Sequence, residues 1–485
     1  MALLDGVDWA GRIFTGTWTP AGGETRAAIE PATGDTLATV GMASVADVAE
    51  AGERAAAAQR DWAARPYLER MAVLQRAAAL FDEHRDEIVE WLVRESGSTR
   101  AKAGIEIQGA IGECTEAAAL TAAPHGELLR TPQPRLSVER RVPVGVVAVI
   151  SPFNFPLILS IRSVAPALAL GNAVLLKPDP RTAVCGGVVL ARIFAEAGLP
   201  EGVLQMLPGG VPVGSAMIDH PAVRVVSFTG STSAGRAIAA QAANTLTRTH
   251  LELGGNSALV VLDDVDVETA ASCGAFGNFL HSGQICMAVG RHLVHESIYD
   301  DYVEHLAKKA DALVVGDGRR DDVALGPLID ARQLEHVRDL VRRSTASGAR
   351  LVAGGTHEGL FFRPTVLADC TDDTPAYREE VFGPVACVRR FADIDEAVAL
   401  AADSEYGLSL GVLGNDLATA MSIVDRVPTG LAHINDHTVH DDPNAPFGGV
   451  RASGSSRVGG QRANIESFTE TQWVTVRASV PKYPF

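Results

Sequence analysis

The order of apolar and polar positions divides the chain into a helical first third and two longer stretches where short β-rich runs alternate with helical segments. Ser44 with Asp47 reads as a variant capping box opening a helix through Trp62, and Tyr67 to Ser96 repeats apolar residues at helical spacing until Gly97. This region is expected to pack rather than react. After a polar, Pro-containing stretch, GVVAVI, NAVLLK, VLQML and VRVVSF read as strands, with helical segments at Leu157–Leu170 and Thr182–Ala197. A second alternation starts at Ala258–Asp264 and runs through Ala270–Leu280, RHLVHE, Tyr299–Leu313, VACVRRF, LSLGVL and GLAHIN. Such alternation predicts βαβ crossovers and parallel sheets, so the fold class is α/β with two lobes. RLSVERRV and the tail QWVTVRASV alternate like half-exposed strands outside both lobes. Strands without a sheet of their own pair elsewhere, and a subunit boundary is the expected place.

Composition narrows the class. With 485 residues, 47% hydrophobic and 21% charged, the chain can bury substantial cores. Its 42 basic against 59 acidic residues give a formal charge of −17 with no long basic run, so neither nucleic acid nor an anionic membrane is an expected partner. Val142–Ile161 carries no charge and is long enough to span a bilayer, yet Pro143, Pro152, Asn154 and Pro156 interrupt it. It reads as a strand, a loop and a helix start. Cysteines 114, 185, 273, 286, 370 and 387 form no CxxC pair, which argues against a zinc ribbon or disulfide framework and suits a reducing cytoplasm. The acidic N-terminus, with no apolar run after it, reads as no targeting signal.

Several residues could carry chemistry, and each also has a plain structural reading. Cys286, in GQICMAVG, lies between a helical segment and a strand; a lone cysteine is commonly an inert core residue. Glu252, in LELGGN, is an acid in an apolar stretch, where desolvation raises the pKa toward a general base's range; it equally suits a solvated strand end. Asn154, in SPFNFP, is held between Phe and Pro residues at the end of GVVAVI, either to aim an amide N–H or to cap a helix. SFTGSTSAG joins a strand to a helix through Gly230 and Gly235, a junction that presents backbone N–H groups to an anion. It is not a P-loop, because Arg236 and Ala237 replace the required Lys and Ser or Thr. Lys177 ends a buried strand, where open α/β sheets bind ligands. His292 and His295 face opposite sides of a strand, so no metal site is expected there. EEVFGP contributes Glu380 and Phe382, and PFGG contributes Phe447.

In this order PFNFP, LLKP, FTGSTSAG, LELGGN, GQICM, EEVFGPV and PFGG resemble the NAD(P)-dependent aldehyde dehydrogenase superfamily, over roughly residues 10 to 475. LKPDPRTA, LELGGN, GQICMA and HINDHTV with PFGG are most similar to its bacterial benzaldehyde and vanillin dehydrogenases. The resemblance implies two Rossmann-like α/β lobes: residues 1–121 with 143–253 binding the cofactor, and 254–466 forming the catalytic domain. Residues 122–142 and 467–485 are then oligomerisation strands of a homodimer or homotetramer.

The resemblance also implies that Cys286 is the nucleophile, Glu252 the general base, and Asn154 with the Cys286 N–H the oxyanion hole. Ser151, Lys177, Gly230, Ser231, Gly235, Glu380 and Phe382 would hold the cofactor. Two departures stand out. Pro180 occupies the position where strict NAD users carry a ribose-binding glutamate, which leaves NADP open beside NAD; and Gln461 stands where many relatives have a proton-relay acid. An aromatic substrate requires an apolar slot, for which Phe153, Leu157, Ile285, Met287, Val439 and Phe447 are the candidates. Arg162 is the alternative signal, a cation that would pair the carboxylate of a semialdehyde. A coenzyme A-acylating enzyme is disfavoured by Glu252, and a non-catalytic protein of the same fold by the presence of all three reactive residues.

Overall fold

The computed structural model describes residues 2–485. Among them, two seven-stranded sheets organise the chain. The first holds, in spatial order, Arg248–Glu252, Val223–Thr229, Val146–Ile150, Ala173–Lys177 and Leu204–Met206, all parallel, followed by Arg12–Phe14, antiparallel to its neighbour, and Trp18–Pro20. Val146–Ile150 and Ala173–Lys177 are buried at every position, which is why both read as unbroken apolar runs. The second sheet orders Arg350–Ala353, Thr365–Ala368, Val385–Phe391, Val289–His295, Ser257–Val261, Ser409–Leu413 and Leu431–Ile434; all but the first pair in parallel. Hydrophobic clusters cover both faces of each sheet.

Helices α1 (Val45–Ala64) and α5 (Pro156–Ala169) pack on the first sheet, and α2 (Tyr67–Glu83), α3 (Arg85–Ser96) and α4 (Arg100–Leu120) form an outer layer packed on one another and on α5. The Ser44–Asp47 capping box opens α1, as its sequence requires. The apolar periodicity of Tyr67–Ser96 does not make one helix. His84, at φ −105° and ψ 17°, breaks it into α2 and α3, and Gly97 closes α3 in the left-handed region at φ +69°. Helix α4 approaches its neighbours closely because a Cβ at Gly109 would collide with Ile158, and one at Gly112 would lie 2.8 Å from Pro443.

The two unattached strands find each other. Thr469–Val476 pairs antiparallel with Leu136–Pro143, which also pairs with Gly126–Leu128, so they form a small three-stranded sheet within the chain whose outer strands keep open edges. Their separation in sequence hid the pairing; the outer edge still exposes Trp473 (63%) and Val476. Val142–Ile161 resolves into a strand, a loop and the first turns of α5. No helix among the described residues is long and apolar enough to cross a membrane.

Candidate active site

Four neighbouring parallel strands of the first sheet end on one edge, and their last residues, or the next ones, converge on a cleft of about 390 Å³: Ser151, Lys177, Gly230 and Glu252. This is where an open α/β sheet binds a nucleotide. Burial lowers the Lys177 ammonium pKa against the raising effect of Asp179. Ser231 caps the helix Thr232–Ala243 by accepting from the Ala234 N–H, and Gly230, Ser231 and Ala234 at this helix start line the cleft. Across the cleft, Glu380 reaches the LELGGN segment: its Oε1 accepts the Gly255 N–H at 3.0 Å, and only a glycine at 254 leaves room for its other oxygen. Burial pushes Glu380 up to about 7, less the effect of that N–H. Phe382, in the left-handed region at φ 49°, meets Phe153 edge-on at 5.8 Å in the same wall. A buried lysine, a capped helix start and a recessed carboxylate suit the phosphates and ribose hydroxyls of a dinucleotide.

The nucleophile candidate sits on a constrained loop. His281, Ser282 and Gly283 take consecutive left-handed conformations at φ 50°, 54° and 67°, each side-chain-bearing one costing about 1–2 kcal/mol. The turn is held by Ser282 Oγ donating to Gly326 O at 2.7 Å and by Gln284 Oε1 accepting the Ile329 N–H at 3.0 Å. It aims Cys286 into the wall shared by the dinucleotide cleft and a second cavity of about 480 Å³; Asn154 and Leu159 belong to the same shared wall. A Cβ at Gly255 would stand 2.5 Å from the Cys286 carbonyl, which accounts for the second glycine of LELGGN. The Asn154 Nδ2 donates to Gln284 O at 2.8 Å, fixing the amide plane while leaving its second N–H for another acceptor.

Burial pushes the Cys286 thiol up to about 12, and the carboxylates of Glu380 and Glu252 add to the shift. Glu252 is itself raised well above its ordinary value by burial, despite Arg162 and Arg457. Both its carboxylate oxygens are buried without a hydrogen-bond partner among the described residues, and the upward shift makes Glu252 a stronger proton acceptor than an ordinary carboxylate. Gly448 of PFGG makes this possible, since a Cβ there would come within 2.8 Å of Glu252 Oε1.

The second cavity is mainly apolar, walled by Phe155, Ile158, Phe276, Ile285, Met287 and Phe447 among others. Arg162 also lines it, but not as a free cation. Its Nε donates to Glu113 at 3.2 Å, its Nη2 to Asp441, and its guanidinium stacks over Phe447 at 4.6 Å. Burial opposes its charge, yet the two carboxylates raise its pKa. An arginine already paired with two acids is not a free cation for a substrate carboxylate, which weakens the physical basis of the semialdehyde reading.

The sequence pattern of the aldehyde dehydrogenase family matches residues 18–474. The chain belongs to this family. It is 59% identical to the vanillin dehydrogenase of an Amycolatopsis species, with all of both chains covered, and 45% identical to a Pseudomonas putida benzaldehyde dehydrogenase [NAD(+)], with 98% of each covered. A Staphylococcus aureus betaine aldehyde dehydrogenase in complex with NAD+ superposes at a TM-score of 0.96 with 29% identity, over 100% of this chain and 98% of that one. An E. coli NADP-dependent enzyme reaches 0.94 at 32%, covering 96% and 98%.

Within this aldehyde dehydrogenase family chain, three sequence-based assignments need correction. Phe153 lines the dinucleotide cleft and not the apolar cavity, because Arg181 stacks over it at 4.1 Å and Phe382 packs on its edge. Leu157 is fully buried in the core beneath α5, and its neighbours Ile158 and Leu159 face the cavity instead. Gly235 lies inside the helix Thr232–Ala243, outside the cleft wall, where a Cβ would collide with Leu253; it is a packing glycine. Ile285, Met287, Val439, Phe447 and Arg162 do line the apolar cavity. Gln461 is exposed at the start of the helix Gln461–Phe468 and lines neither cavity.

Sequence reasoning missed a support layer in α4, the region expected only to pack. Lys102 Nζ donates to Glu106 Oε1 at 2.5 Å and to the backbone carbonyl of Asn154 at 2.6 Å, while Glu106 Oε2 accepts the Leu157 and Ile158 N–H groups at the start of α5. Both side chains are fully buried, and burial pushes each toward its neutral form. An acid four residues from a lysine on one helix face was the available signal, and such pairs usually sit in solvent.

Proposed function

We propose that the protein oxidises an aromatic aldehyde of the benzaldehyde or vanillin kind to the carboxylic acid, with NAD+ as acceptor. The observation that carries this reading is Cys286 in the wall between an apolar cavity and a dinucleotide cleft, beside a buried carboxylate without a hydrogen-bond partner. Names of the curated relatives support the aromatic class.

The Cys286 sulfur attacks the aldehyde carbon as its proton passes to Glu252. The free N–H of Asn154 and the Cys286 amide hold the resulting oxyanion; losing one such donor costs about 10²–10³ in rate in comparable sites. Bound in the cleft, the nicotinamide ring supplies the hydride acceptor that makes collapse of the sulfur adduct an oxidation. After Glu252 releases that proton to bulk water, it takes a proton from the attacking water, whose oxygen displaces the Cys286 sulfur from the thioester to free the acid, and Cys286 recovers its thiol proton from Glu252. Lys177 and the Ser231 helix start bind the phosphates, Ser151 lies on this side, Glu380 binds ribose, and Phe382 closes the ring's surroundings.

The reading extends to NADP as a second acceptor. Pro180 offers no carboxylate, and Asp179 before it is tied to Arg181 at 2.8 and 2.9 Å, so a 2′-phosphate meets no free acid there. We place the enzyme in the cytoplasm, in keeping with six free cysteines among the described residues, as a homodimer or homotetramer joined along the open edge of Thr469–Val476.

Benzaldehyde with NAD+ should produce the reduced-nicotinamide absorbance. Cys286→Ala should abolish it, and Glu252→Gln should leave a single stoichiometric burst. Full steady-state turnover in Cys286→Ala would overturn the covalent mechanism.

A further inference from the structure

Among the walls of the apolar cavity, the Arg162 network is an exception: a buried cation with two acids, one of which remains accessible. Glu113 is enclosed, with a side-chain exposure of 2%, while the Asp441 side chain keeps 22% and lines the cavity. Arg162 takes Asp441 Oδ2, and no hydrogen bond engages Oδ1 among the described residues. A carboxylate oxygen accepts hydrogen bonds and cannot donate them. Its surroundings amplify this character, because one guanidinium serves two acids; burial and the Asp441 charge both favour protonation of Glu113, whose pKa rises to about 7 despite Arg162.

The position is built, not incidental. Gly112 of α4 lets Pro443 dock on the helix, which clamps the loop carrying Asp441; Gly109 does the same for Ile158 of α5. Arg162 and Asp441 line the apolar cavity alone, whereas Asn154, Leu159 and Cys286 form the wall that it shares with the dinucleotide cleft, so the ion pair stands away from the reacting wall. A group meeting Asp441 is therefore one on the far side of the substrate from the aldehyde. It must not be an anion, which the carboxylate repels, and it must be a donor, because an apolar group would leave the carboxylate desolvated without a partner; on an aromatic ring a hydroxyl is the simplest such group.

We propose that this end of the cavity is a subsite for a ring hydroxyl, with Asp441 as its acceptor, so that the enzyme prefers hydroxylated benzaldehydes to unsubstituted ones. The inference rests on the aromatic aldehyde reading above and refines its substrate class. The roles divide cleanly: Asp441 touches the substrate, and Arg162 and Glu113 hold Asp441 in place.

The test compares kcat/KM for 4-hydroxybenzaldehyde, benzaldehyde and 4-formylbenzoate in the wild type, Asp441→Asn and Asp441→Ala. The ratio of hydroxylated to unsubstituted substrate should fall about tenfold or more in Asp441→Ala, the effect of one hydrogen bond to a charged group. The relative rate on 4-formylbenzoate should rise, since Arg162 loses one of its two acids. Asp441→Asn keeps the size and an acceptor oxygen, and should lie between. Calorimetric binding of the two uncharged aldehydes to Cys286→Ala, alone and with Asp441→Ala, reads the same preference without turnover. Equal proportional losses for both substrates, or equal binding of both to Cys286→Ala, would overturn the subsite and leave the function standing. Preferential binding without any oxidation by the wild type would support the subsite and reject the function.

Discussion

Replacing Lys102 by Met breaks the buried ion pair under Asn154 and leaves Glu106 enclosed without its cation. Removing one partner of such a pair typically costs about 3–5 kcal/mol, whereas neutralising both together is often close to neutral. Lys102→Met should therefore lower the unfolding free energy by about that amount, and Lys102→Met with Glu106→Gln should recover most of it. The glutamine oxygen still accepts an N–H from Leu157 or Ile158, the groups Glu106 holds at 3.0 and 3.4 Å. Activity should not recover in parallel. In both variants the Asn154 carbonyl loses the ammonium that donates to it at 2.6 Å, so the residue offering the oxyanion donor is less firmly placed. A complete loss of that donor is worth about 10²–10³ in kcat, and partial misplacement should cost about tenfold, with KM changed far less. Urea melts at fixed pH and steady-state kinetics on benzaldehyde read the two quantities separately. A double variant with wild-type kcat would refute the positioning role, and a single variant of undiminished stability would refute the pair's contribution to the fold.

Three further outcomes follow from the same geometry. Glu95, Glu113 and Glu380 are raised by burial to about 7 from an ordinary 4.5, so the unfolded chain ionises them first as pH rises; their stabilising contribution is complete below about 4.5 and lost through 7. Buried His250, lowered to about 4, works in the opposite direction below its ordinary 6.5, so the thermal midpoint should fall most clearly between pH 6.5 and 8, and less steeply in Glu380→Gln. A flat profile over that range would contradict these burial shifts. Gly448→Ala places a methyl against Ser456 O and Glu252 Oε1, at a backbone φ of +150°; kcat should drop at least tenfold while cofactor binding, read by fluorescence titration, stays close to wild type. Trp473→Asp on the open sheet edge should lower the mass seen by light scattering if that edge joins subunits, and an unchanged mass would place the interface elsewhere.

The alternation of strand and helix, the continuous apolar runs of the central strands, the Ser44 cap and the stop at Gly97 were all legible along the chain, because each depends on the exposure period of its own segment. Cys286, Glu252 and Asn154 stood out for a related reason: their flanking glycines, prolines and aromatics mark a backbone that another element must approach closely. What local pattern could not carry was which distant residues meet. Lys102 and Asn154 are 52 positions apart, Gly255 and Glu380 are 125, and Arg162 and Asp441 are 279. Those distances explain why α4 passed for simple packing, why Arg162 passed for a free cation, and why the two outlying strands were not matched to each other. Facing is the second limit. Phe153 and Leu157 belong to an irregular turn and a helix buried on every side, where apolar character is uniform and only packing determines which wall each one joins.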